Sequence, residues 1–113
     1  MFGNDCWYQS LNSLYKLKYQ TLIPLEKVKT LIQKYNQEVT MDFFQLGEPM
    51  SKDLLQALML EFQLGCHWIE KRDNVLIEDS IFNSDYLLPG TIEFTYSTPH
   101  LIGHFQFLIS NTP

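Results

Sequence analysis

The chain is 113 residues long, 45% apolar and 14% aromatic, with eight basic and thirteen acidic side chains and a formal charge of −5. That length fits one domain spanning 1–113 rather than two cores, and the apolar content argues against disorder. The acidic balance disfavours non-specific attraction to nucleic acid or anionic lipid and suits a basic partner, while no run is long and apolar enough to span a bilayer.

In chain order, the first helix is expected to begin near Cys6. Trp7, Leu11, Leu14 and Tyr15 recur at helical spacing, and Asn4 or Asp5 stands where a cap belongs. Pro24 opens a second helix in which Leu25, Val28, Ile32 and Tyr35 repeat the period, ending near Asn36. Gly47-Glu48-Pro49 reads as a turn. Ser51 then caps a third helix with Leu54, Leu55, Leu58, Met59 and Phe62 on its apolar face, and Gly65 stops it.

From Cys66 onward the pattern changes to short β-rich runs at 67–70, 75–78, 92–96 and 105–109. Arg72-Asp73-Asn74 reads as a hairpin turn, and Pro89-Gly90 and Pro99 as loops between later strands. Helices first and strands second predict an α+β fold: a helical part over about 1–64 packed on an antiparallel sheet formed by about 65–113.

Two segments carry chemistry. In Gly3-Asn4-Asp5-Cys6-Trp7, a cysteine follows polar turn formers and opens a helix, where unpaired backbone N–H groups and the positive end of the dipole favour thiolate over thiol. Its plain alternative is a small buried filler, the reading preferred for Cys66. In Gly103-His104-Phe105-Gln106-Phe107, alternation puts Phe105, Phe107 and Ile109 on one face and His104, Gln106 and Leu108 on the other. His104 is thereby the candidate base, with Gln106 beside it as a partner for the far ring nitrogen and Gly103 permitting close approach of a substrate backbone. His100 fits an exposed loop and His67 a strand next to Cys66. Asn4 is either an oxyanion donor, with the Cys6 backbone N–H, or simply a helix cap. Trp7 is expected chiefly to pack beneath the nucleophile, with substrate contact second.

Two cysteines without an apolar leader point to a reducing compartment rather than a disulfide scaffold. No cofactor is expected. Cys66-His67 and the pair His100 and His104 lack the spacing of a structural zinc site.

Asn4-Asp5-Cys6-Trp7 together with Gly103-His104-Phe105-Gln106-Phe107 resembles the papain-like cysteine peptidases of RNA-virus polyproteins, among them the aphthovirus leader protease and the papain-like proteases of nidoviruses, including toroviruses. Two short motifs at opposite ends carry the likeness. It implies a papain-like fold with Cys6 as nucleophile, His104 as base and then acid, and Asn4 or the adjacent backbone as oxyanion donor. The third member departs from the pattern. The leader-type aspartate well past the histidine has no counterpart before Pro113, and the position two residues beyond the histidine, acidic or Asn in ovarian-tumour-type deubiquitinases, is Gln106. Gln106, Asn111 or neither orients His104. The resemblance further implies a monomer acting in host cytoplasm on polyprotein cleavage sites and on ubiquitin or ubiquitin-like modifiers, whose basic tails suit the acidic charge. The alternatives are an inactive papain-like binding module and a small zinc-binding interaction domain using Cys66, His67 and a late histidine.

Overall fold

A computed structural model describes residues 5–38, 50–97 and 103–109. Three helices come first, α1 (Cys6–Tyr19), α2 (Leu25–Glu38) and α3 (Lys52–Glu61). Four strands follow, β1 (Gly65–Arg72), β2 (Val75–Phe82), β3 (Leu87–Tyr96) and β4 (His104–Ile109). The architecture is α+β, with the helices packed against one face of a four-stranded sheet ordered β2-β1-β3-β4.

The period-3.6 stripe of α1 buries Trp7, Leu11 and Leu14 completely, and that of α3 buries Leu55, Leu58 and Met59. The sheet answers with Cys66 and Trp68 from β1, Ile92 from β3 and Phe105 from β4. Each large side chain so buried contributes roughly 1.5–3 kcal/mol of transfer free energy. Polar ties fix the helices in place. The Ser51 hydroxyl accepts from Leu54 N–H at 3.1 Å as the expected cap of α3. Buried Asn12 on α1 accepts the Ile23 N–H at 2.8 Å, and Tyr8 donates to the Ile23 carbonyl at 3.0 Å, so the chain between α1 and α2 is stitched back onto α1. Tyr35 on α2 donates to Glu61 on α3 at 3.3 Å.

The start of α3 is clamped to the sheet by Lys52, which lies 2.6 Å from Glu78 and 3.2 Å from Glu70. The hydrogen bond from Lys52 is the main reason the Glu78 carboxyl sits below its usual range, and the bond to Glu78 likewise raises Lys52.

Three features differ from the sequence expectation. The sheet is mixed: β2 and β4 pair antiparallel with their neighbours, but β1 and β3 run parallel. The cause lies at the end of β2. There the chain crosses the start of β1 through Asn83 and a short 3₁₀ turn at Ser84–Tyr86, and it re-enters the sheet on the far side of β1. Gly65 makes the crossing possible, because a Cβ there would fall 2.1 Å from the Asn83 carbonyl oxygen. Asn83 takes a left-handed conformation, φ 58°, and its amide donates to the Leu64 carbonyl at 3.1 Å. Gly65 therefore does not stop α3. That helix ends at Glu61, Gln63 supplies the positive φ, and Gly65 opens β1.

Pro89-Gly90, expected as a loop, lies inside β3, where the β1–β3 register shifts between Gly65 and His67 and leaves Pro89 without a partner on β1. The Asp73-Asn74 turn is as expected, with φ of 51° and 65° at its two central residues, the twist that suits a tight hairpin. The turn expected at Gly47-Glu48-Pro49 lies outside the described residues.

Gly65→Ala is expected to lower stability by about 1–3 kcal/mol, since the added methyl meets backbone rather than a side chain that can swing aside. Urea denaturation checks this, and an unchanged midpoint would contradict the crossing as the reason for a glycine at that position.

Candidate functional site

Cys6 is the first residue of α1, half-buried, with Asp5 at the cap position and no cap bond from the Asp5 side chain. Because α1 lies along β4, the sulfur comes to rest against the edge strand, and the Phe105 N–H donates to Cys6 Sγ at 3.5 Å across 99 positions of sequence. An N–H aimed at sulfur stabilises negative charge on that atom. His104, one residue before Phe105, is exposed and lines the same cavity, a pocket of about 250 Å³ that Cys6, Gln9, Ser10 and Ser13 border from α1 and His104 to Phe107 border from β4. The two motifs from opposite ends of the chain thus meet at one opening.

Gln106 shares the cavity and the outward face of β4 with His104, two positions on, but no hydrogen bond joins it to His104, nor His104 to Cys6, among the described residues. Trp7 is fully buried, so it packs beneath Cys6 and offers no surface to a substrate. Its ring meets Tyr8 edge-on at 5.6 Å. Gly103 faces protein rather than open space. A Cβ there would sit 1.8 Å from the Phe94 ring, which stacks on Phe105 at 4.5 Å. The glycine lets the chain enter β4 over that aromatic pair. Asn4, His100 and Asn111 lie outside the described residues.

Cys66 is the buried filler expected of it. Burial pushes its thiol from the ordinary 9.0 up to about 12. Cys66 and His67 are consecutive on β1 and project from opposite faces of the sheet, Cys66 into the core and His67 outward to a hydrogen bond with Asp79. They cannot ligate one ion together, which removes the basis of the zinc-binding alternative. Among the described residues no group of three or more His, Cys, Asp or Glu side chains is arranged to hold a metal ion. None of the described helices is long and apolar enough to cross a membrane.

Sequence reasoning missed Ser10 and Ser13. The signal was available: Cys6, Gln9, Ser10 and Ser13 follow the spacing i, i+3, i+4, i+7 and form a polar stripe beside the apolar one.

No family model matches the chain, and neither does any curated protein or solved structure.

Burial of the Cys66 thiol fixes the sign of a pH effect. The unfolded chain releases that proton near its ordinary value while the folded protein retains it, so this group's contribution to stability is intact below about pH 9 and is lost as pH rises toward about 12. Tyr35, pushed up to about 12 by burial and then by Glu61, adds to the loss above pH 10. Chemical denaturation from pH 8 to 11 should show a decline that is shallower in Cys66→Ala. Equal slopes in the two proteins would contradict the buried-thiol account.

Proposed function

We propose that this protein is a papain-like cysteine peptidase, hydrolysing peptide or isopeptide bonds with Cys6 as nucleophile and His104 as general base. The observation that supports the reading most is the meeting of the Cys6 sulfur, at a helix start, with the first residues of the histidine-bearing strand in one solvent-open pocket.

The chemistry is set by these groups. His104 takes the thiol proton as Cys6 Sγ attacks the carbonyl carbon. The resulting oxyanion is held by backbone N–H groups at the start of α1, the Cys6 N–H foremost. Collapse of the adduct expels the amine, which takes the proton back from His104, and leaves a thioester. Water, deprotonated by the same imidazole, hydrolyses the thioester and frees Cys6. Gln106, on the same strand face two residues beyond His104, is the nearest candidate to orient the ring, and an amide there stabilises the imidazolium less than a carboxylate would. The formal charge of −5 favours substrates with a basic approach to the scissile bond, which suits both a viral polyprotein junction and the tail of ubiquitin or a ubiquitin-like modifier.

One observation favours a second reading, an inactive papain-like module that binds without cleaving. Cys6 takes its hydrogen bond from the Phe105 backbone, and none joins it to His104 among the described residues. An unliganded peptidase is compatible with such spacing, because catalytic hydrogen bonds tighten on substrate.

Purified protein is expected to cleave a fluorogenic ubiquitin conjugate or a polyprotein junction peptide. Cys6→Ala should abolish turnover, and His104→Ala should lower kcat by about 10²–10⁴-fold with the fold intact by circular dichroism. Full activity in either variant would contradict the assignment. Cleavage of junction peptides with ubiquitin substrates left whole would overturn the modifier-directed part alone.

A further inference from the structure

A second cavity, of about 660 Å³, shares no lining residue with the one beside Cys6. It lies on the face of the sheet turned away from the helices, where the register sets His67 of β1 between Ile81 of β2 and Thr91 of β3. The hollow has a backbone cause. From Gly65 to His67 β1 advances two positions, while β3 advances four, from Leu87 to Thr91. The surplus length has no place opposite β1, so β3 bows away from it there and forms one wall of the space.

Asp79 of β2 lines this cavity, and His67 Nε2 is hydrogen-bonded to its Oδ1. A neutral imidazole in that position donates its N–H and leaves the carboxylate its full charge. Neither side chain makes another hydrogen bond among the described residues, and Asp79 is 51% exposed, so its second oxygen is open to a donor. With the imidazole neutral, Asp79 is the one formal charge on the lining among the described residues. Lys71, further along the same face of β1, is engaged with Glu93 at 3.8 Å. The rim is hydrocarbon, with Ile81 58% and Leu87 48% exposed. Val75, Leu76 and Ile77 are exposed too, so water-facing apolar surface continues along β2, an edge strand among the described residues.

These features select the ligand. An anion is repelled, and a neutral apolar group would cover the carboxylate without pairing it. A cation on an apolar stem satisfies both the charge and the rim. Guanidinium suits the site better than ammonium, because it is less strongly hydrated and presents several donors at once, for Asp79 and for the Thr91 hydroxyl.

We propose that this cavity is a docking site for an arginine side chain of a partner polypeptide, with the guanidinium on Asp79 and flanking apolar residues on Ile81, Leu87 and the exposed hydrocarbon of β2. That apolar surface extends further than a free small guanidine covers, which assigns the ligand to a protein segment. Arginine is among the residues that anchor interfaces, and the formal charge of −5 draws a basic segment in. The site is independent of Cys6 and of cleavage.

The test uses ¹⁵N-labelled Cys6→Ala protein, so that no bound peptide is cut. Amide shifts are followed on titration with acetyl-Leu-Arg-Leu-amide and with counterparts carrying citrulline, lysine or glutamate at the centre. Citrulline keeps the shape of arginine and removes its charge. The arginine peptide is expected to move the Ile81 and Thr91 amides saturably, binding at least about tenfold tighter than the citrulline peptide and about threefold tighter than the lysine one, while the glutamate peptide leaves them unmoved. Asp79→Asn should weaken the arginine peptide about 10–100-fold. Glu38→Gln, which removes an exposed carboxylate at the end of α2, should leave binding unchanged. Ile81→Ser, at an exposed position that the fold does not depend on, should weaken it about threefold. Equal losses in Asp79→Asn and Glu38→Gln would reduce the effect to net charge and overturn the site. So would shifts confined to β4 amides beside the Cys6 cavity, or arginine and citrulline peptides that bind alike. Methylguanidine binding as tightly as the arginine peptide would overturn the assignment to a protein segment.

Discussion

The contact between the start of α1 and the start of β4 is the constraint on which the candidate site depends. A single N–H to sulfur interaction at 3.5 Å cannot hold two chain segments 99 residues apart. What holds them is the core beneath. Trp7, Leu11 and Leu14 on the inner stripe of α1 meet Phe105, Ile92 and Trp68 on the inner face of the sheet, all with little or no exposure. Because Cys6 precedes Trp7 and His104 precedes Phe105, each candidate group is one residue removed from a buried aromatic anchor. The placement of the candidate site inherits the precision of close packing rather than that of a loop.

The rest of the fold keeps that contact in register. Lys52 ties the start of α3 to β1 and β2 through Glu70 and Glu78, and the Asn12 and Tyr8 bonds to Ile23 hold the α1–α2 connection against α1. The crossing under Gly65 places β3 between β1 and β4, and among the described residues β4 is an edge of the sheet. An edge position leaves outward N–H and C=O groups on β4 facing the polar stripe of α1, and a groove exists there for that reason.

Much of this was legible in the chain and some was not, for identifiable physical reasons. The helices could be read because Trp7, Leu11 and Leu14, or Leu54, Leu55 and Leu58, repeat at a period that only a helix buries on one side. The alternation of β4 could be read because Phe105 and Gln106 differ so sharply in polarity. The parallel β1–β3 pair could not, since strand order depends on where Asn83 passes, and that turns on the missing side chain of a glycine whose sequence signal equally suits a helix stop. Pro89-Gly90 misled for a related reason, a register shift being able to absorb a proline inside a strand. At the site, the meeting of Cys6 with the His104 strand was foreseeable from pattern and resemblance. The Phe94 ring against Gly103 required the packed structure, because one-dimensional spacing does not say which side chain fills the space that a glycine leaves.

The most direct measurement is the rate of iodoacetamide alkylation at Cys6 at neutral pH, followed by mass spectrometry in wild-type protein and in His104→Ala. If the imidazole serves the thiol, wild-type Cys6 reacts at least about tenfold faster than Cys6 in the variant, with Cys66 unlabelled in both until the protein unfolds. Equal rates at Cys6 in the two proteins would mean that the sulfur and the imidazole share a pocket without sharing a proton, and the peptidase account would be wrong.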